Sequence, residues 1–206
     1  DHNYMSLIKI LSAFAVSALL ASAAHALSFG EIGNLFQKSE TATAADQKDF
    51  GHPGYEYIEA RVTRVADGDT LTVREKGSNN KIKIRLLGID APELKMEGGN
   101  ASRRHLENLI RSGNNQVRIY YLSKKKFDRY GRIIGKVVTN NIDVNRQMVL
   151  DGHAWFYRNY QKDVMPKDRV LYQEAMYEAQ RTKRGLWAQP NPLEPWEWRK
   201  THRRKD

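Results

Sequence analysis

The sequence predicts one α+β domain of five short strands and three helices. Three observations carry that expectation. Runs of alternating apolar and polar residues recur between turn clusters, three stretches of helical periodicity lie among them, and most links are short. Strands of this length can close a small Greek-key barrel, and periodicity alone leaves that barrel and an open sheet as alternatives. A chain of 206 residues suffices for one well-buried domain with extensions, whereas two ordinary domains would be cramped.

The first strand is expected from residue 57, where Ile58, Ala60 and Val62 alternate with Glu59, Arg61 and Thr63. Asp67-Gly68-Asp69 punctuates the chain, and Leu71 and Val73 resume the alternation. Gly77-Ser78-Asn79-Asn80 turns it back into residues 81–89, with Ile82, Ile84 and Leu86 set against Lys81, Lys83 and Arg85. Three consecutive antiparallel strands follow from this. Beyond Pro92, Asn100 or Ser102 can cap a helix that turns Leu106, Leu109 and Ile110 inward and stops at Gly113. A fourth strand covers 116–122, an exposed loop runs from Lys124 to Arg132, and a fifth strand over 133–138 ends at Asn140-Asn141. Asp143 caps a short helix holding Val144, Met148 and Val149. The third helix covers 168–183, with Leu171, Ala175 and Ala179 on one face and Gly185 beyond its end.

Both ends read differently. Met5 is the expected start of a leader with Lys9 as its positive residue, an apolar run over 10–20 and Ala24-His25-Ala26 as a cleavage signal. The alternative is an uncleaved anchor, for which a run interrupted by Ser12 and Ser17 is short. The expected organisation is a signal peptide over 1–26, a flexible lead-in over 27–54, the folded domain over 55–188 and a Pro- and Trp-rich basic tail over 189–206. Trp196 and Trp198 are expected to pack that tail back on the domain.

Lys and Arg number 34 against 24 acids, a net charge of +10. Removing the leader takes away Asp1 and Lys9 and leaves that excess unchanged. It favours a polyanionic partner, with a merely solubilising surface as the alternative. There is no cysteine, which excludes disulfides, thiolate metal sites, a cysteine nucleophile and a lipoprotein anchor. The six histidines show no metal-ligand or paired catalytic spacing, which argues against zinc chemistry. His105 and His153 read as structural.

Three charged segments remain. Asp67-Gly68-Asp69 alone is a common turn, but its second carboxylate can face a cation. Arg85, Asp90 and Glu93 share one strand end, and Asp128-Arg129-Tyr130-Gly131-Arg132 follows well after. A phosphodiester hydrolase needs a cation and guanidiniums where charge builds on phosphorus, plus a carboxylate to orient water. Together the segments supply that set. Lys124, Lys125 and Lys126 with Phe127, Arg129 and Tyr130 form a basic loop with interleaved aromatics, suited to phosphate contact and stacking.

In order, Asp67-Gly68-Asp69-Thr70, the run from Arg85 to Glu93, the run from Asp128 to Arg132, Gly152-His153-Ala154-Trp155 and Arg184-Gly185-Leu186-Trp187 resemble the staphylococcal nuclease family. The match spans about residues 57–187. The resemblance implies a five-stranded OB-fold β-barrel with three α-helices and a Ca²⁺-dependent nuclease acting on DNA and RNA. It implies Asp69, Asp90 and the backbone carbonyl of Ala91 as metal ligands, with Asp67 beside them. Arg85 and Arg132 would bind the scissile phosphate, and Glu93 would serve as general base. Cleavage would leave 3′-phosphate and 5′-hydroxyl ends. Arg129 and Tyr130 would touch the terminal phosphate, with Lys124 and Lys125 nearby. Arg158 and Tyr160 fall where the family carries a pair of tyrosines, and Arg158 departs from that pattern.

The combined expectation is an exported nuclease, periplasmic or extracellular, monomeric, with no stable protein partner and no membrane association once the leader is cleaved. The rival is a non-catalytic nucleic-acid-binding OB domain. Against it stands the complete set of Asp69, Arg85, Asp90, Glu93 and Arg132, since a degenerate domain should have lost one of them.

Overall fold

The computed structural model describes residues 50–202. The expected leader, most of the lead-in and the last four residues of the tail lie outside them. Strands β1 (Tyr55–Val65), β2 (Thr70–Glu75) and β3 (Lys81–Leu86) form the expected antiparallel meander. The short β4 (Ile89–Asp90) continues from β3 across a turn at Leu87-Gly88, where Gly88 has φ 76°. Helix α1 (Gly99–Ser112) leads into β5 (Gln116–Leu122) and β6 (Ile133–Thr139). The two-residue β7 (Ile142–Asp143), helix α2 (Val144–Leu150), β8 (Trp155–Phe156) and helix α3 (Pro166–Arg181) complete the domain. The tail adds a fourth helix, α4 (Pro195–Thr201).

The main sheet has the order β3-β2-β1-β5-β6-β7, and a further parallel pairing of β3 with β6 shuts it into a mixed barrel. Periodicity could not choose between barrel and open sheet. The register that decides it is Ile84 with Ile133, Arg85 with Ile134 and Leu86 with Gly135. At Gly135 a Cβ would lie 2.6 Å from Ile119 and 2.9 Å from the Tyr120 carbonyl, so the closing strand needs glycine there.

Alternation does the remaining work. Leu71, Val73, Ile84, Ile119, Ile133 and Val137 are each 0% exposed and fill the barrel. Leu106 and Ile110 of α1, Val144, Met148 and Val149 of α2, and Tyr172, Ala175 and Met176 of α3 cover it in one continuous core.

One cap differs from expectation. Helix α1 starts after Gly98, whose φ of 82° is left-handed, and no side chain caps it. Ser102 is committed elsewhere, its hydroxyl donating to the His153 carbonyl at 2.7 Å. Asp143 does cap α2, accepting from the Arg146 N–H at 3.0 Å. Helix α3 starts two residues before Asp168, which is buried against the ammonium of Lys136 at 2.8 Å. Burial pushes the nearby Asp143 carboxyl up to about 6, with Lys136 opposing the shift.

Candidate active site

The β1–β2 turn places the first carboxylates. The Asp69 N–H donates to Asp67 Oδ1 at 3.0 Å, and the Ala66 N–H reaches the Thr70 carbonyl at 2.8 Å, so the turn folds over its own side chain. A Cβ at Gly68 would collide with the Ser102 hydroxyl and the Ala91 methyl, which packs this turn directly against α1 and the segment after β4. Thr70 then pairs with Arg85, and the Leu86 N–H donates to the Asp69 carbonyl at 2.8 Å. Asp69 and Arg85 therefore lie side by side on neighbouring strands.

The turn after β3 brings the next carboxylate back to them. Its carbonyl at Leu87 accepts from the Asn145 side chain at 2.9 Å, and its N–H donates to the Gly135 carbonyl at 2.8 Å. Pairing of β4 with β8 sets Asp90 opposite Trp155. In this position Arg85 Nη2 is 3.0 Å from Asp69 Oδ2 and 3.0 Å from Asp90 Oδ1, bridging the two carboxylates. Asp69 Oδ2 also accepts the Ala91 N–H at 2.7 Å, and Asp69 Oδ1 accepts the Thr70 hydroxyl at 3.1 Å.

So many acids in a dry place perturb one another. Burial, followed by repulsion from Asp69, raises the Asp67 carboxyl to about 7. Burial also raises Asp90, and Asp69 adds to it against the opposing guanidiniums. Such a cluster calls for more positive charge than Arg85 alone supplies.

Among the described residues no three histidine, cysteine, aspartate or glutamate side chains converge as a ready metal cage. Asp69 and Asp90 instead form a buried pair, 7% and 1% exposed, offering only hard oxygen donors. That chemistry fits an oxygen-seeking divalent cation that keeps some of its water. It does not fit a soft or imidazole-seeking metal.

Glu93 lies three residues beyond Asp90 and is partly exposed. Its carbonyl accepts from the Met96 N–H at 2.8 Å, fixing the turn that leads to α1. Arg132 precedes Ile133, the residue that pairs with Ile84 in the closing register. It is held by Asp128, whose Oδ2 accepts from Nε at 2.7 Å and whose Oδ1 accepts from its N–H at 3.0 Å. Burial opposes ionisation of Asp128, but these bonds and one from the Tyr130 N–H outweigh it and lower its pKa.

The expected substrate contacts are less concentrated. Arg129 and Tyr130 are exposed at the tip of the loop, and the Tyr130 ring lies 4.8 Å from the Arg129 guanidinium and 5.3 Å from that of Arg132. Lys124 and Lys125 lie in a 3₁₀ turn (Ser123–Lys125), and Lys125 is already paired with Asp163 at 2.6 Å. Arg158 and Tyr160 are exposed in another 3₁₀ turn (Arg158–Asp163), where Tyr160 packs on Tyr157 at 5.1 Å. His105 and His153 stack at 4.2 Å beside Asp151.

Sequence reasoning missed one residue in the centre of the site. Arg199, on α4, donates from Nη2 to Asp90 Oδ2 at 2.6 Å, and from Nη1 to Asp90 Oδ1 at 3.1 Å and Glu93 Oε1 at 2.9 Å. Burial opposes its charge, but the bonds to Asp90 and Glu93 prevail and raise its pKa. The basic composition of the tail was the only signal in the sequence.

Comparison with known proteins gives the family. A family model described as "Staphylococcal nuclease homologue" matches residues 83–189. An uncharacterized endonuclease of Haemophilus influenzae is 41% identical over 140 residues, covering 68% of this chain and 72% of its own. A micrococcal nuclease of Shigella flexneri is 37% identical over 157 residues, covering 72% and 84% respectively. A probable staphylococcal-like nuclease of Oryza sativa subsp. japonica is 42% identical over 123 residues, and this chain spans only 30% of its length. With the closed barrel and the paired aspartates in place, the chain belongs to the staphylococcal nuclease homologue family.

Proposed function

We propose that this protein is a Ca²⁺-dependent nuclease that hydrolyses phosphodiester bonds of DNA and RNA and acts after export. The observation that carries this reading is the bridge of Arg85 across Asp69 and Asp90, with Glu93 on the same segment. It joins a phosphate-binding group, an oxygen-donor pair and a base candidate at one barrel end.

Asp69, Asp90 and the carbonyl of Ala91 would hold the cation. Bound there, Ca²⁺ would offset negative charge building on the phosphate oxygens. Arg85 and Arg132 would take the other oxygens of the scissile group, where guanidiniums match phosphate geometry. Arg85 lies in a barrel strand and Arg132 is held by Asp128, so little reorganisation is needed as charge develops. Glu93 would orient a water molecule and accept its proton as the water oxygen attacks phosphorus. The bond from phosphorus to O5′ then breaks, O5′ takes up a proton from solvent, and 3′-phosphate and 5′-hydroxyl ends remain. Tyr130 and Arg129, exposed beside Arg132, would contact the strand beyond the cut, by stacking and by charge.

Two side-chain ligands make a weak site, with a dissociation constant in the range of about 10⁻⁴ to 10⁻³ M typical of extracellular modules. Such affinity suits a protein exported by the leader read in residues 5–26. An N-terminal mass beginning near Leu27 in the fraction outside the cytosol checks that part of the proposal.

Incubating the mature protein with plasmid and with RNA, with Ca²⁺ or with chelator, tests the activity. Cleavage of both substrates with half-saturation near millimolar Ca²⁺ is expected, together with its loss in Glu93→Gln. Full activity in chelator would remove the metal from the reading, and binding without cleavage would favour a non-catalytic module.

A further inference from the structure

We propose that helix α4 is a built-in competitor of the active site, whose Arg199 occupies the carboxylate oxygens that the cation and the attacking water require. The proposal rests on the nuclease reading above and concerns how that site is controlled.

The contacts are specific. Arg199 engages both oxygens of Asp90 and one of Glu93 through its two terminal nitrogens, at 2.6 to 3.1 Å. Asp90 is 1% exposed, so its two oxygens have few other directions in which to bind anything. Arg85 already shares Oδ1. A cation coordinated by Asp90 would approach the same oxygens and meet the Arg199 guanidinium, and the two positive groups would repel at close range. At Glu93 the guanidinium takes Oε1 and competes with water there. The docked helix therefore opposes cation binding at Asp90.

The helix is also attached in a way that lets it leave. It has seven residues, well below the roughly 12 to 15 needed for a helix to be even marginally stable alone, so its form depends on docking. A segment containing Pro190 and Pro192 separates it from the domain. Its apolar anchor is modest. Pro195 is buried, and Trp196 meets Trp155 edge-on at 6.4 Å and Tyr157 at 5.0 Å. A cavity of 340 Å³ bordered by Trp155, Tyr157, Met176, Trp187 and Trp196 lies beside this contact, so the anchor forgoes part of its possible packing. Most of the specificity of docking thus comes from Arg199, and a divalent ion at the acidic cluster opposes that residue directly. Cation binding and helix release are then linked, each favouring the other.

Titration calorimetry with Ca²⁺, on the mature full chain and on Arg199→Gln, tests this without reference to turnover. The variant is expected to bind Ca²⁺ about 5- to 150-fold more tightly, the usual span of coupling between linked sites. In the unaltered chain, Ca²⁺ should shift tryptophan emission to longer wavelength as Trp196 leaves Trp155 and Tyr157, and in Trp196→Phe most of that shift should vanish. Equal or weaker Ca²⁺ binding in Arg199→Gln overturns the proposal, as does the absence of Ca²⁺ binding in both chains. The nuclease reading is judged separately. Tighter Ca²⁺ binding in the variant with no cleavage by either chain would overturn the nuclease and keep the competitor. Cleavage with equal Ca²⁺ affinity in both would do the reverse.

Discussion

The side-chain amide of Asn145 donates to the backbone carbonyl of Leu87 at 2.9 Å, at the turn from which Asp90 departs. The same amide reaches the Gly135 carbonyl at 3.2 Å, and its oxygen accepts from the Val137 N–H at 2.9 Å. One fully buried side chain thereby ties α2 to the closing strand and to the strand end that carries the acids. Asn145→Ala would leave the Leu87 carbonyl and the Val137 N–H buried without partners. We expect it to cost about 2 to 6 kcal/mol, at roughly 1 to 3 per stranded group. Urea unfolding followed by circular dichroism checks the value.

The Lys136 ammonium depends on Asp168 in the same way, at 2.8 Å with both side chains buried. Asp143 stands farther off at 3.9 Å, too far to accept a hydrogen bond from Lys136, but its oxygens accept the Tyr172 hydroxyl at 3.0 and 3.1 Å. Lys136→Met alone should destabilise by about 3 to 5 kcal/mol, because it strands a buried carboxylate. The double change Lys136→Met with Asp168→Leu should recover much of that loss. A thermal-melting double-mutant cycle would read both effects.

Gly68→Ala tests the packing that aims Asp69. The added methyl must displace Ser102 or Ala91, and with Ala91 goes the N–H that Asp69 Oδ2 accepts. Overpacking of this kind costs about 1 to 3 kcal/mol. We expect Ca²⁺ affinity to fall more than stability, which calorimetry beside a melting curve would separate.

His153 sets a limit in acid. Burial, then repulsion from the stacked His105, lowers its pKa from 6.5 to about 4. The unfolded chain therefore binds this proton more readily than the folded one. The contribution to stability is fully present above pH 6.5 and is lost progressively as pH falls toward 4. Asp151, whose pKa is also lowered in the fold despite burial, through its bonds to His105 and Gln147, adds a loss at still lower pH. Melting temperature should fall across the first window, and His153→Leu should flatten that limb while leaving the neutral plateau near its original height.

Arg85→Lys and Arg132→Lys probe the proposed phosphate clamp. Lysine keeps the charge but cannot present two parallel donors to phosphate. Each should lower kcat by about 10²- to 10³-fold, as removal of one preorganised donor does elsewhere. Steady-state kinetics on a short oligonucleotide should show KM changing far less than kcat.

Much of the architecture was legible because barrel strands declare themselves by alternation and their ends by Gly, Asn and Asp. Leu71 and Val73, or Ile82 to Leu86, admit few other readings. The closure was not legible from periodicity, and only the family resemblance implied it, since the parallel contact of Ile84 with Ile133 joins distant segments and leaves no local trace. The cap of α1 failed for a related reason. Ser102 has the chemistry of a cap, but tertiary packing commits it to the His153 carbonyl, and Gly98 starts the helix instead. Asp69, Arg85, Asp90 and Glu93 could be singled out because they cluster in two short motifs. Arg199 could not, because its partners lie more than a hundred residues earlier and nothing beside it announces them.

The parallel seam between β3 and β6 has one more implication, for the order in which this protein comes into being. Arg85 lies on one side of the seam, and Arg132 just before the other, two positions ahead of the residue that pairs with Arg85. While the chain is still emerging from the ribosome, these two arginines belong to segments that have not met. Hydrolytic competence would therefore appear only when the barrel shuts, late in maturation, and the nucleic acid of the producing cell would face an unarmed polypeptide until then.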